Sequence, residues 1–213
     1  MARRARQIVP AVPHHIVQRG SRRAPVFFAF ADYRRYLQLL REQCDQWDVE
    51  VWCHCLMPNH VHVIVCPSTS EGPSRAFGEA HRRCAWELNR RHGWVGHLWQ
   101  ERFRSFAMDE LHLLCAARYV LLNPVRAGLC EDAAAWPHSS ARAHLGEAAD
   151  PLVDPGPLDA RIADWREYLD ATAAKDLEEL IRKHSRSGRP LGSESFVARC
   201  EGAGEPHDEP PRE

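Results

Sequence analysis

Two histidines one residue apart, His60 and His62 in the stretch MPNHVHVIV, begin an apolar run of the kind that forms a strand. Side chains alternate between faces along a strand, so both imidazoles project from the same side of a sheet. Neutral imidazole is a common metal ligand, and two on one strand can fill adjacent coordination positions. Taken alone, the spacing reads first as two polar face residues hydrogen-bonded to their neighbours. Cys53 and Cys55 share a face of the preceding run in the same way and raise a zinc module, although structural zinc ligands usually come from CxxC-type turns.

A second pair lies farther along, in ARYVLLNPVRAG. Tyr119 and Asn123 are four apart in a helical pattern, so a phenol and an amide point the same way about a turn from each other. Two readings stand. In one, Tyr119 packs as core and Asn123 caps the helix before Pro124. In the other, the Asn123 side-chain oxygen joins the two histidines as a third metal ligand and Tyr119 is held over the metal. Of the tyrosines at 33, 36, 119 and 168, only Tyr119 has such a partner.

The elements that must position these groups follow from periodicity. HHIVQRG, residues 14–20, is a short strand, followed by the arginine loop SRRAP. A helix capped by Asp32 carries Tyr36, Leu37, Leu40 and Cys44 at helical spacing to about Trp47. VEVWCHCL and HVHVIVC are two strands joined by a hairpin at Met57-Pro58-Asn59. A second helix enters at residues 71–74 and ends near His92-Gly93, FRSFAMDE is a fourth strand, and a third helix stops before Pro124. This order predicts an α+β, ferredoxin-like split βαβ fold: a four-stranded antiparallel sheet, two helices on one face, and an added helix that carries Tyr119. The other face is expected to be free for a ligand. Beyond residue 146, DPLVDPGP reads as a Pro-rich linker and residues 160–185 as helical, giving a main domain at 1–146 that carries the histidines and Tyr119 and a small acidic, partly helical extension at 147–200. The tail at 201–213 lacks periodicity and is expected to be disordered.

Charge divides along the same boundary. Residues 1–146 hold 19 Arg and no Lys against 13 Asp plus Glu, a net of +6, whereas residues 147–213 hold 9 Lys plus Arg against 16 acids, a net of −7. A body that uses only arginine suits phosphate, because guanidinium forks bind its oxygens in pairs. The acidic part either solvates the chain or covers the basic surface when nucleic acid is absent. Arg19, Arg22 and Arg23 follow the first strand, Arg82, Arg83, Arg90 and Arg91 lie on the second helix, and Trp94, Trp99, Arg102 and Arg104 border the fourth strand. Together they could form a groove in which arginines track a backbone and aromatics stack on unpaired bases. No apolar run approaches the ~20 residues of a membrane span, and the basic N-terminus lacks the apolar stretch of a secretory signal, so a cytoplasmic protein with no membrane partner is expected. The eight cysteines form no CxxC pair and read as reduced, packed thiols.

CLMPNHVHVIV, followed about 60 residues later by RYVLLNPVRAGL, resembles the REP-associated tyrosine transposases of bacteria, relatives of the single-tyrosine insertion-sequence transposases in the HUH endonuclease superfamily. HHIVQRGSRR, LNRRHGWVGHLWQERFRS and WPHSSARAHLG carry the same resemblance, which spans most of residues 13–146; GRPLGSESFV resembles a C-terminal piece of some members. The resemblance implies that His60, His62 and Asn123 bind a divalent metal, Mg²⁺ or Mn²⁺. Asn123 stands where the insertion-sequence branch usually has Gln. It also implies that Tyr119 attacks a phosphodiester of single-stranded or hairpin DNA to leave a 5′-phosphotyrosine and a free 3′-hydroxyl. Such a protein works as a monomer or as a homodimer exchanging tyrosine helices. Ser21, where relatives often have Asn after the glycine, bears on recognition more than on catalysis. The alternative is a non-cleaving DNA-binding protein that keeps the fold as a regulator.

Overall fold

The structure, a computed structural model, describes residues 7–170 and 175–202. Its first part runs β1 (His14–Arg19), α1 (Phe30–Gln46), β2 (Val49–Met57), β3 (His60–Pro67), α2 (Gly72–His92), β4 (Arg104–Ala107) and α3 (Glu110–Leu121). The strands form one sheet in the order β2-β3-β1-β4 with every neighbour antiparallel, the split βαβ topology expected from the sequence. A single turn, α4 (Asn123–Arg126), continues past Leu122, because Pro124 fits a helix start but cannot donate within α3.

Alternation along β3 splits its side chains between two cores. Val61, Val63 and Val65 join Ile16 against Tyr36, Leu39, Leu40 and Phe77 of α1 and α2. Ile64 points the other way, into a second core with Leu113, Ala117, Val120 and Leu121 of α3. The register of β2 against β3 shifts between Val51 and Cys53, a β-bulge that puts two residues opposite one. Before it, Val49 and Val51 face α1; after it, Cys53, Cys55 and Met57 face α3, with Cys55 opposite His62.

Two details of α1 and of the sheet differ from expectation. The helix begins at Phe30, and Asp32 sits within its first turn rather than at the cap; its carboxylate accepts the backbone N–H groups of Phe28 and Ala29 at 2.8 and 2.9 Å. The second face of the sheet is covered along most of its length by α3 and by the segment after residue 146. That segment comprises α6 (Gly156–Asp159), α7 (Trp165–Asp170), α8 (Lys175–Ser187) and α9 (Glu194–Gly202), with the short α5 (Ala141–His144) just before it. Leu158, Trp165, Leu169, Ile181 and Leu191 enter the second core. Each large apolar side chain so buried contributes roughly 1.5–3 kcal/mol, enough together to hold the segment on the sheet. DPLVDPGP is likewise packed: Leu152 joins the first core, and Asp154 donates its backbone N–H to the Val51 carbonyl at 2.8 Å. The expected disordered tail lies, beyond Gly202, outside the described residues. No helix among the described residues is long and apolar enough to cross a membrane.

Candidate active site

His60 and His62 do share a face, their ring centroids 4.9 Å apart. Each has one ring nitrogen engaged by a neighbour. His60 Nδ1 is 2.6 Å from Asn59 Oδ1, which can only accept, so Nδ1 carries the proton and Nε2 keeps its lone pair. Asn59 also donates from Nδ2 to the Arg23 carbonyl at 2.9 Å, tying the arginine loop to the histidine. His62 Nδ1 is 2.9 Å from Nε2 of His15 on the adjacent strand. Burial pushes His15 down to about 3 and His60 down to about 4 and holds His62 well below the usual histidine range, so all three rings are neutral at pH 7.

Tyr119 stands over this pair from α3, its ring edge-on to His62 at 5.6 Å and to His15 at 6.2 Å. One chain therefore brings the tyrosine and both histidines together. Arg126 of α4 lies over the Tyr119 ring, 4.1 Å from its centroid, and donates to the Tyr119 carbonyl. Its guanidinium also meets Glu178 of α8 at 3.5 Å. Asn123, one turn beyond Tyr119, is buried with its Nδ2 unpartnered.

A cavity of about 520 Å³ opens beside Tyr119 and His62. Arg19, Arg23, Arg102 and Arg104 line it, from β1, the loop after it and the approach to β4. Arg19 is pushed below its usual range first by burial and then by Arg23, with Arg104 and Arg186 adding repulsion, the mark of cations gathered in one place. Among the described residues, Arg104 alone of the four is committed to a carboxylate, that of Glu101. Gly20 permits the approach: a Cβ there would lie 2.4 Å from the Ala24 carbonyl oxygen and 2.7 Å from Val26.

The remaining candidates lie elsewhere. Arg82, Arg83 and Arg91 of α2 are paired with Glu79, Glu42 and Asp32 at 2.7, 2.7 and 2.6 Å, and Arg90 lies over Trp86. These residues belong to the helical layer on the opposite face of the sheet and do not line the cavity. Arg22 is exposed beside the cavity loop but is not among its lining. Trp99 was expected to stack on bases; it is instead a core residue, packed against His81 with its indole N–H donated to the His81 carbonyl at 3.1 Å. Trp94 is half-exposed and stacks on His92. Sequence patterns missed His15, Asn59, Arg126, Arg182 and Arg186. For His15 the signal was present, since it alternates in β1 as His62 does in β3.

The donor set fits a divalent ion. Two neutral imidazoles, of which His60 presents its Nε2 lone pair, could supply nitrogen ligands and the Asn123 side-chain oxygen a third, a mixed nitrogen and oxygen set that suits Mn²⁺ and is tolerated by Mg²⁺. The zinc alternative does not assemble: among the described residues no group of three or more His, Cys, Asp or Glu could hold a metal. Cys53 and Cys55 are fully buried, and burial raises both thiols far above the usual range, so they are protonated packing groups.

A split βαβ sheet with a same-face histidine pair beneath a helix-borne tyrosine is the arrangement expected of a single-tyrosine transposase. Residues 9–122, more than half of the chain, match the family model described as IS200-like transposase, and the chain belongs to that family. Among solved structures it is similar to a REP-associated tyrosine transposase bound to a REP hairpin, with a TM-score of 0.55 and 18% identity over 72% of this chain and 94% of that one. It is also similar to a candidate transposase of Deinococcus radiodurans R1, with a TM-score of 0.40 and 20% identity over 56% and 95% of the two chains. Among curated proteins no sequence matches.

Proposed function

We propose that the protein is a DNA strand transferase that cleaves and rejoins single-stranded hairpin DNA through a covalent bond to Tyr119. The observation that carries this reading is the convergence of Tyr119, His62 and four arginines on one cavity. The relative of similar fold that is bound to a REP hairpin supports the substrate class.

In the proposed step the Tyr119 oxygen attacks phosphorus, and the bond from phosphorus to the 3′ oxygen breaks. The phenol loses its proton to solvent and the departing 3′ oxygen gains one. A 5′-phosphotyrosine and a 3′-hydroxyl result. A free phenol, with a pKa of about 10, is mostly protonated at neutral pH, so the attack needs a nearby positive charge or a base. Arg126 over the ring offers that charge, and the cavity arginines offset charge on the phosphate oxygens. A divalent ion held by His60, His62 and Asn123 would polarise the scissile phosphate. Because no water enters the bond, a DNA 3′-hydroxyl can reverse the attack and join strands.

The test is denaturing electrophoresis of protein incubated with end-labelled hairpin oligonucleotides from the repeats flanking its own gene, with Mn²⁺, Mg²⁺ or chelator. A metal-dependent band of protein bound to DNA, lost in Tyr119→Phe, supports the reading. Tight hairpin binding with no band in any metal would favour a non-cleaving DNA-binding protein.

A further inference from the structure

The wall of the cavity opposite β1 comes from α8, more than 60 residues beyond Tyr119 and within the part of the chain whose net charge is negative. Arg182, Ser185 and Arg186 reach it, and their spacing places them on one face of the helix. Past Lys175, charge along α8 is segregated, with Asp176, Glu178 and Glu179 in its first half and Arg182, Lys183 and Arg186 in its second. The net charge of the segment therefore hides the sign of the surface it turns toward the tyrosine.

Basic residues in a last helical turn also complement the helix dipole, which by itself would explain their presence though not their direction. Their direction is fixed by anchoring on both sides. Ile181, beside Arg182, is buried in the second core, and Glu178 pairs with Arg126. Gly188, at φ +69°, ends the helix, and the chain returns to β4 through the Leu191 N–H and the Ala107 carbonyl at 2.8 Å. The Arg186 carbonyl accepts from Arg104 at 3.3 Å, joining α8 to the β4 side of the cavity. Among the described residues, Arg186 has no carboxylate in salt-bridge range, and Arg182 has only a long contact of 3.9 Å with Glu178.

Resting on the reading of the cavity as a single-strand site, we propose that α8 is a phosphate-binding subsite, in which Arg182 and Arg186 grip backbone phosphates flanking the one that Tyr119 attacks. With Arg19, Arg23, Arg102 and Arg104 it closes a guanidinium ring around the strand. Planar forks on a fixed helix suit phosphate oxygens, which accept two N–H bonds at once. The acidic segment is then part of the DNA site, and neither a solvating appendage nor a cover drawn over it.

The test is fluorescence anisotropy of the full chain with a labelled hairpin carrying a single-stranded extension, in chelator so that no strand is cut, from about 50 to 200 mM salt. The double variant Arg182→Gln/Arg186→Gln is compared with the charge-conserving Arg182→Lys/Arg186→Lys. Both arginines are exposed at the rim, and circular dichroism melting checks that the fold is kept. Two lost phosphate contacts should weaken binding about tenfold or more at low salt and lower the slope of log affinity against log salt by about 1.4, with the lysine variant recovering most of the slope. Wild-type affinity and slope in the glutamine variant, or tighter binding, would overturn the subsite while leaving the strand-transferase reading intact. Failure of the wild-type protein to bind the oligonucleotide would overturn both.

Discussion

His15 Nε2 lies 2.9 Å from His62 Nδ1 in a fully buried contact between adjacent strands. When His62 donates from Nδ1, its Nε2 keeps the lone pair a metal requires, and His15 is the acceptor that holds this tautomer. His15→Phe keeps a ring against Phe106 but removes the acceptor. Mn²⁺ affinity, read by calorimetry, should fall about 10- to 100-fold. Unchanged affinity would reduce His15 to a packing residue.

Buried neutral histidines make stability depend on pH. Burial holds His14 at about 4 and His15 at about 3, whereas the unfolded chain protonates near 6.5. Between those values the unfolded state binds more protons, so stability is fully present above about 6.5 and is lost as pH falls toward 4. The His14 depression alone corresponds to about 3 kcal/mol. Thermal melting should show the midpoint dropping by at least about 5 °C from pH 7 to pH 4.5; a flat profile would contradict the burial of these rings in the folded state.

Gly20 is required for space rather than for backbone freedom. In Gly20→Ala the added methyl meets the Ala24 carbonyl oxygen at 2.4 Å and Val26 at 2.7 Å, so the arginine loop must shift. Denaturant unfolding should show a loss of about 1–3 kcal/mol, and hairpin affinity should fall with it because Arg23 moves from the cavity. Wild-type stability would show that the loop yields without cost.

How much of this was legible in the sequence depends on whether a residue's partners were local. Alternation alone put His60 and His62 on one face, and helical spacing set Asn123 one turn beyond Tyr119. The bulge between Val51 and Cys53 has no local signature, yet it decides that Cys55 lies opposite His62. His15 needed the register of β1 on β3, which pairs Val17 with His62 and so brings the next same-face side chain beside it. Arg82, Arg83, Arg90 and Arg91 were read as part of a nucleic-acid groove, but the acids that pair with Arg83 and Arg91 come from α1, a partner that only folding brings near. Arg182 and Arg186 were masked by the acids around them, since a segment's net charge averages over directions that only folding distinguishes.

Arg126 joins Tyr119 to α8, stacking on the phenol and pairing with Glu178. If its charge assists the phenol as the oxygen attacks, Arg126→Gln should slow covalent bond formation at pH 7 by about 10-fold or more. The charge-conserving Arg126→Lys should recover part of the rate. A rate slowed equally by both substitutions would assign Arg126 to holding the helix in place.

The covalent bond itself is the quantity to measure first. Intact protein incubated with Mn²⁺ and a hairpin oligonucleotide would be digested and the DNA-linked peptide sequenced by mass spectrometry. The expected result is a single linked peptide with the 5′ phosphate on Tyr119, absent when His60 and His62 are replaced by alanine. A linkage on Tyr33, Tyr36 or Tyr168, or cleaved DNA with a free 5′ phosphate and no linked peptide, would contradict a strand transferase built on Tyr119 and the histidine pair.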